Sequence, residues 1–545
     1  MEERILELLK DYVAVKTHTG TEMERDATEF FRSYFEANPY FRAHPEQWGS
    51  HPVKDDFLQR RIQWGLVKGQ GDETVILIHH TDTVDAEDYG PLKELAYTLD
   101  GVKEPLREGQ VPVGEEVKED LQGDTWIFGR GASDMKGGGC MALALLEEYA
   151  REEDFQGNVL LLGVPDEENS SAGMRSAAYL LEELEEKYGL HYQLMIDVEP
   201  HERIHPERFS IYDGSIGKVM PIVLARGKLA HTGQIYAGLS PIHMMSALVR
   251  KTELLGEFVE REGTTTAPGP TWLYLKDRKY LYDVSLPATV GGYMSVLPLT
   301  RSPKDILERL KELSVEAFEE VLKDSRARYE IYRNQDGLDY GDMDHEAQVL
   351  TVDELKAQLL RDIPKEVLEA EEWAITQKIQ EGAYDRVEGS FRLMEFYLEQ
   401  WKNRDPVLLI GLAAPYYPAV NNGKLPSREK TDAFVSELAD YIQREFELGL
   451  DVQNYFTGIC DLSYAMFTDP EDTINYIQEN MLLWGKEYEI PLELIKKRSM
   501  PVFNIGPWGK DLHRMTERVH REDLTRRAPK ILDYTVRKFL GQNPQ

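Results

Sequence analysis

The sequence is poor in cysteine: 545 residues contain two, Cys140 and Cys460, far apart in the chain. That excludes a disulfide framework and a thiolate metal cluster, and two isolated thiols fit a reducing compartment. Basic residues are outnumbered, 63 Lys and Arg against 97 Asp and Glu, for a net charge of −34. Such a field repels nucleic acid and anionic membranes, so neither is an expected partner. No uncharged apolar run approaches the roughly 18 residues of a membrane helix. The opening MEERILELLKDYVAV is charged from its second residue and lacks the basic start and apolar core of a signal peptide. The expected location is the cytoplasm. Also missing are a Gly-x-Ser-x-Gly elbow and a histidine close in sequence to either cysteine, which argues against a serine or cysteine hydrolase. No internal repeat or low-complexity tract is present.

What is present is a globular chain, 41% apolar, long enough for two to four domains at roughly 100–200 residues each. From Ile5 to Phe35 apolar residues fall at helical spacing, broken once by THTGTE. Short apolar runs of the buried-strand type follow: VILIHH (75–80), NVLLLGVP (158–165) and YQLMIDVEP (192–200). Helical patterns at 140–153 and 172–189 separate them. Strands alternating with helices predict an α/β fold, a mostly parallel sheet flanked by helices.

The pattern changes near Gly214. A strand (KVMPIVLARGKLA), a helix (SPIHMMSALVRKTELLGEFVERE), a strand pair (YDVSLPATVGGYMSVLPLT) and a helix (SPKDILERLKELSVEAFEEVL) suggest a smaller inserted α+β domain. The expected organisation is a catalytic domain over 1–213, an inserted domain over 214–335, a charged helical insertion over 336–404 and a return to the catalytic domain over 405–545. Alternating charge in 336–404 reads as a solvated face. The apolar run DPVLLIGLAAPYYP (405–418) reads as the return to the first sheet.

Five segments carry metal-ligand chemistry, and sites in open α/β sheets form beyond the carboxyl ends of strands. HTDTV offers His80 with Asp82, a carboxylate able to orient a ligating imidazole, and His79 competes. GRGASDMKGGG presents Asp134 from a glycine-rich turn that lacks phosphate-loop spacing. VPDEENSSAGM places Glu167 beside Glu168, one able to bind metal while the other stays free as a general base. IDVEPHE offers Asp197 or Glu199, and FNIGPWGKDLHRMTERVHRED offers His513 with His520 as competitor.

In that order these motifs resemble the zinc exopeptidase family of glutamate carboxypeptidase, aminoacylase, peptidase T and succinyl-diaminopimelate desuccinylase. GKLAHTGQIYAG looks like the family's lid-domain Gly-x-x-Ala-His motif. YDGSIGKVMP and GICDLSYAMF are most similar to a branch concerned with arginine utilisation. The resemblance covers nearly the whole chain except roughly 336–404. It implies two divalent ions, zinc foremost with manganese or cobalt as alternatives, bridged by Asp134. His80 and Glu199 complete one site, and Glu168 and His513 the other. It further implies Glu167 as general base, Asp82 orienting His80, and His231 of the lid stabilising the oxyanion, often in a partner subunit through a lid-mediated homodimer. The Glu-Pro pattern selects Glu199 over Asp197. Ser240 and Ser295 stand where the family often has substrate-gripping asparagines, so the resemblance leaves two alternatives: a substrate without the usual terminal carboxylate, or another residue that binds it. The expected activity is hydrolysis of an amide bond in a small N-acyl amino acid or short peptide. The competing reading is a non-catalytic, metal-stabilised binding or regulatory protein of amino-acid metabolism, against which the retained Glu167 speaks.

Overall fold

The computed structural model describes residues 1–203, 205–335, 337–341 and 344–542. The chain divides into two compact units, the first made of 1–215, 420–468 and 490–545 and the second of 216–419 and 469–489. Among the described residues, no helix is long and apolar enough to cross a membrane.

The first unit is built on an eight-stranded sheet. Its order is Trp48–Pro52, Arg61–Lys68, Gln156–Val164, Gln70–His80, His191–Asp197, Val502–Asn504, Arg208–Tyr212 and Gly449–Gln453. The four strands from Gln156–Val164 to Val502–Asn504 are mutually parallel, as their unbroken apolar runs predict. Alternate residues explain those runs. Val75, Leu77 and His79 point to one side, Val75 and Leu77 joining a core with Leu8, Phe31, Cys140, Leu143 and Ile531, while Ile76, Ile78 and His80 point to the other and are equally buried. Helix Lys136–Tyr149 approaches the sheet closely through its leading glycines. A Cβ on Gly138 would lie 2.1 Å from the Val198 carbonyl oxygen, and one on Gly139 2.5 Å from the His79 ring. The GGG run is therefore a helix-to-sheet contact.

The second unit carries a five-stranded sheet ordered Thr271–Asp277, Thr289–Ser295, Lys218–Arg226, Val407–Tyr417 and Val349–Thr351. Two expectations from the sequence fail here. The strand pair does not lie within 282–300. Only Thr289–Ser295 is a strand there; it pairs with Lys218–Arg226 on one side and on the other with Thr271–Asp277, an edge strand that leaves Leu273, Leu275 and Lys276 exposed. The run at 405–418 does not rejoin the first sheet. Val407–Ala413 pairs antiparallel with Arg226–Met220 in the middle of the second. An apolar run signals a buried strand and carries no mark of the sheet it enters.

Nor is 336–404 a solvated insertion. Helices Val352–Leu359, Lys365–Gln380 and Arg386–Gln400 bury Leu355, Leu368, Ile375, Phe391, Met394 and Tyr397 in one core with Ile222, Leu224, Val407 and Leu409. The charges are real, but they occupy only one face of amphipathic helices. Phe391→Ala is accordingly expected to destabilise by about 3–5 kcal/mol in denaturant unfolding. Trp373→Ala, at a half-exposed position, is expected to stay within about 0.5 kcal/mol. Equal small effects at both positions would restore the solvated reading.

Candidate metal centre

Three parallel strands deliver side chains to one edge of the first unit's sheet. His80 ends Gln70–His80, Glu167 and Glu168 follow Gln156–Val164, and Glu199 follows His191–Asp197. Asp134 and His513 arrive by another route. Strand Trp126–Phe128 leads into the Asp134 turn, strand Arg518–His520 follows the His513 loop, and the two pair antiparallel. His513 has φ +62°, in the left-handed region that histidine occupies more readily than most residues.

The result is a cluster centred on Asp134. One carboxylate oxygen lies 2.9 Å from His80 Nε2 and the other 3.1 Å from His513 Nε2. His80 Nε2 is also 3.5 Å from a Glu199 oxygen, and His513 Nε2 is 3.0 Å from one of Glu168. Two ligand-capable triplets, His80–Asp134–Glu199 and Asp134–Glu168–His513, thus share Asp134. A third, His80–Glu167–Glu168, brings Glu167 to the same place. The structure gathers all five residues proposed from sequence as ligands, together with Glu167.

The competitors lie elsewhere. His79 packs against Phe31 and Tyr12, and burial lowers its pKa to about 3, so it is a neutral core residue. His520 packs between Trp126 and Trp508 beside Asp523. Asp197 is buried but belongs to none of the three triplets. His231 is in the second unit, exposed at the start of the turn Thr232–Ala237.

Asp82 supports the centre differently from the sequence expectation. Its backbone carbonyl accepts a hydrogen bond from His80 Nδ1–H at 2.9 Å, while its carboxylate stands 3.8 Å away. That carboxylate accepts the backbone N–H groups of Glu167 (3.1 Å) and Glu168 (3.3 Å). One buried residue therefore fixes both the histidine ring and the glutamate pair. A second support has no local sequence signal. Buried Glu517 accepts the N–H groups of Ser133 and Asp134, both at 3.1 Å, and pairs with Arg130 at 2.8 Å. It clamps the turn that carries Asp134.

The electrostatics are those of crowded acids. Burial raises the Glu167 pKa well above the usual carboxyl range, and Glu199 and Glu168 add to it. Burial and the Asp134 charge do the same to Glu199. Burial alone would lower His80, but Glu199, the hydrogen bond to Asp134 and the Glu167 charge outweigh it and raise its pKa. Asp134 goes the other way: burial is overcome by hydrogen bonds from His513 and His80, which hold it below the usual range. Four carboxylates around two imidazoles call for positive charge, and this nitrogen–oxygen donor set suits divalent transition ions. The residues fit a metal centre.

Comparison with known proteins agrees. The family model for peptidase family M20/M25/M40 matches residues 77–522, a span that includes every residue of the cluster. The uncharacterized protein YqjN of Bacillus subtilis is 30% identical over 550 residues, covering 99% of this chain and 97% of its own. Protein RocB of the same organism is 26% identical over 545 residues, covering 98% and 94%. Among solved structures, an M20 family metallo-carboxypeptidase, Sso-CP2 of Sulfolobus solfataricus, matches with a TM-score of 0.52 at 11% identity over 100% of both chains. The chain belongs to peptidase family M20/M25/M40 and is a metallopeptidase of that family.

Proposed function

We propose that this chain hydrolyses an amide bond in a small N-acyl amino acid or short peptide, using two divalent ions, zinc foremost, and Glu167 as general base. The observation that carries the reading is the sharing of Asp134 between two ligand triplets, with Glu167 left over beside them. His80 and Glu199 would hold one ion, Glu168 and His513 the other, and Asp134 both. When bound, such ions polarise the scissile carbonyl and acidify the attacking water.

The chain's own residues supply the remainder. Glu167 takes the water's proton on its carboxylate and returns it to the leaving nitrogen. Its burial among other acids favours proton uptake. Glu168 is committed to His513 at 3.0 Å, which divides the roles within the glutamate pair. The Asp82 carboxylate holds both backbones in place. His231 is assigned the oxyanion donor's role.

The likeness to RocB favours a substrate from arginine or ornithine metabolism, handled in the cytoplasm, by a homodimer formed through the second unit as a lid. The test is amine release from a panel of N-acyl amino acids and dipeptides, with protein stripped of metal and reloaded with zinc, manganese or cobalt. Arginine and ornithine derivatives are expected to exceed glycine ones in kcat/KM by about tenfold or more. No release from any substrate with any metal would leave the metal-stabilised binding protein as the better account. If the lid histidine serves the partner's centre, mixing Glu167→Gln with His231→Gln recovers roughly a quarter of native activity, from mixed dimers with one intact site. No recovery on mixing would assign both residues to one subunit.

A further inference from the structure

His231 lies on a mount more rigid than its exposure suggests. Its neighbours are clamped on two sides within the second unit: Thr232 N–H donates to Val284 O at 3.0 Å, Leu286 N–H donates to Ala230 O at 3.0 Å, and Lys228 and Leu239 exchange hydrogen bonds of 2.9 and 3.0 Å. The imidazole itself is exposed. Gly233 N–H donates to its Nδ1 at 3.1 Å. A Cβ at Gly233 would sit 3.3 Å from that nitrogen, so glycine permits the approach.

This one hydrogen bond determines where the ring proton sits. A backbone N–H can only donate, so Nδ1 must present its lone pair. The neutral ring then carries its proton on Nε2, facing away from the turn. The opposite tautomer would present a lone pair there and repel a developing oxyanion, while Nε2–H donates to it.

The turn is also held from below. The Tyr236 ring packs, tilted, with its centroid 5.3 Å from that of Tyr329 and 4.8 Å from that of Tyr332, at interplanar angles of 31° and 33°. Both belong to the last turns of helix Pro303–Arg333. Tyr332 in turn stacks on Tyr340 at 6.5 Å and 19°. Tyr329 is buried, and its hydroxyl donates to Asp339 at 3.0 Å. A column of four tyrosines thus joins the histidine-bearing turn to the end of a 31-residue helix.

We propose that Gly233 and Tyr236 are positioning residues that present His231 as a fixed Nε2–H donor, Gly233 by capping Nδ1 and Tyr236 by anchoring the turn. What that donor serves rests on the hydrolase reading, but its tautomer does not. The test uses the full chain with zinc bound and its histidines labelled with nitrogen-15, His231→Gln identifying the His231 signals. Couplings between ring nitrogens and carbon-bound protons report the tautomer without turnover. The expected result is a single Nε2–H form for His231. Tyr236→Ala and, independently, Tyr332→Leu shift it toward the tautomer mixture of free imidazole. They also lower kcat by about tenfold with KM within about twofold, while Tyr236→Phe keeps the native spectrum and rate. A native His231 that is mixed or Nδ1-protonated overturns the proposal. So does a tautomer unmoved in both stack variants. A chain that hydrolyses nothing on the panel would sink the hydrolase reading and leave the nitrogen spectrum to decide this inference alone.

Discussion

Glu167→Gln is expected to lower kcat by about 10²- to 10⁴-fold, the range for a lost general base, while metal content and fold survive. Glutamine keeps the shape and removes the proton acceptor. Removing this charge costs the centre little, because Glu167 is already crowded by Glu199 and Glu168 and burial works against its ionised form. The melting temperature is expected to hold or rise. Glu168→Gln is the contrasting variant. Glu168 bonds His513 within the second triplet, so its loss should remove metal together with activity. Metal per chain, melting temperature and kcat measured on both variants separate the roles. Metal lost in parallel with activity in Glu167→Gln would make Glu167 a ligand, and the proposed division of the pair would fail.

The sequence made some of this arrangement legible and hid the rest for identifiable reasons. His80, Glu168 and Glu199 could be found because each follows an apolar run, and the ends of parallel strands are where an α/β sheet concentrates its chemistry. Asp134 and His513 stood out only as residues near glycines. What unites them is the pairing of Trp126–Phe128 with Arg518–His520, a contact between distant segments. Glu517 was invisible for the same reason: it acts on the backbone of Ser133 and Asp134, and a backbone N–H leaves no trace in residue type. Asp82 was found, but its carbonyl does the work expected of its carboxylate. In 336–404 the charges dominate the pattern and mask Leu355, Ile375, Phe391 and Tyr397 on the opposite face. The edge strand Thr271–Asp277 was missed although its WLYL run is apolar: Leu273 and Leu275 lie on its exposed face, so the polar–apolar alternation that marks a half-buried strand is missing.

Asp134→Ala is expected to abolish activity and release both ions, since each triplet loses the same member. Alanine also removes the carboxylate that His80 and His513 share, at 2.9 and 3.1 Å. A ligand that binds only the folded state stabilises it by about 4 kcal/mol at a thousand times its Kd. The variant should therefore melt like the chelated native protein, and added zinc should not restore it. The chelated native protein has a pH dependence of definite sign. Burial raises Glu168, and raises Glu199 and Glu167 more strongly, above their ordinary value of 4.5. His80 is raised above 6.5, and hydrogen bonds to Asp134 and Glu168 raise His513 to about 10. In each case the folded form binds protons that the unfolded form has released. Stability from these groups is full below their unfolded values and is lost as pH rises through the folded ones. Asp134 is lowered and acts in the opposite sense, but only below about pH 4. Between pH 6 and 9 the chelated protein should therefore lose melting temperature as pH rises. Zinc should raise it by more at the higher pH, where deprotonated ligands are available. A chelated protein whose stability climbs over that interval, or a zinc effect that shrinks, would mean that these acids and histidines are not neutralising a shared ion.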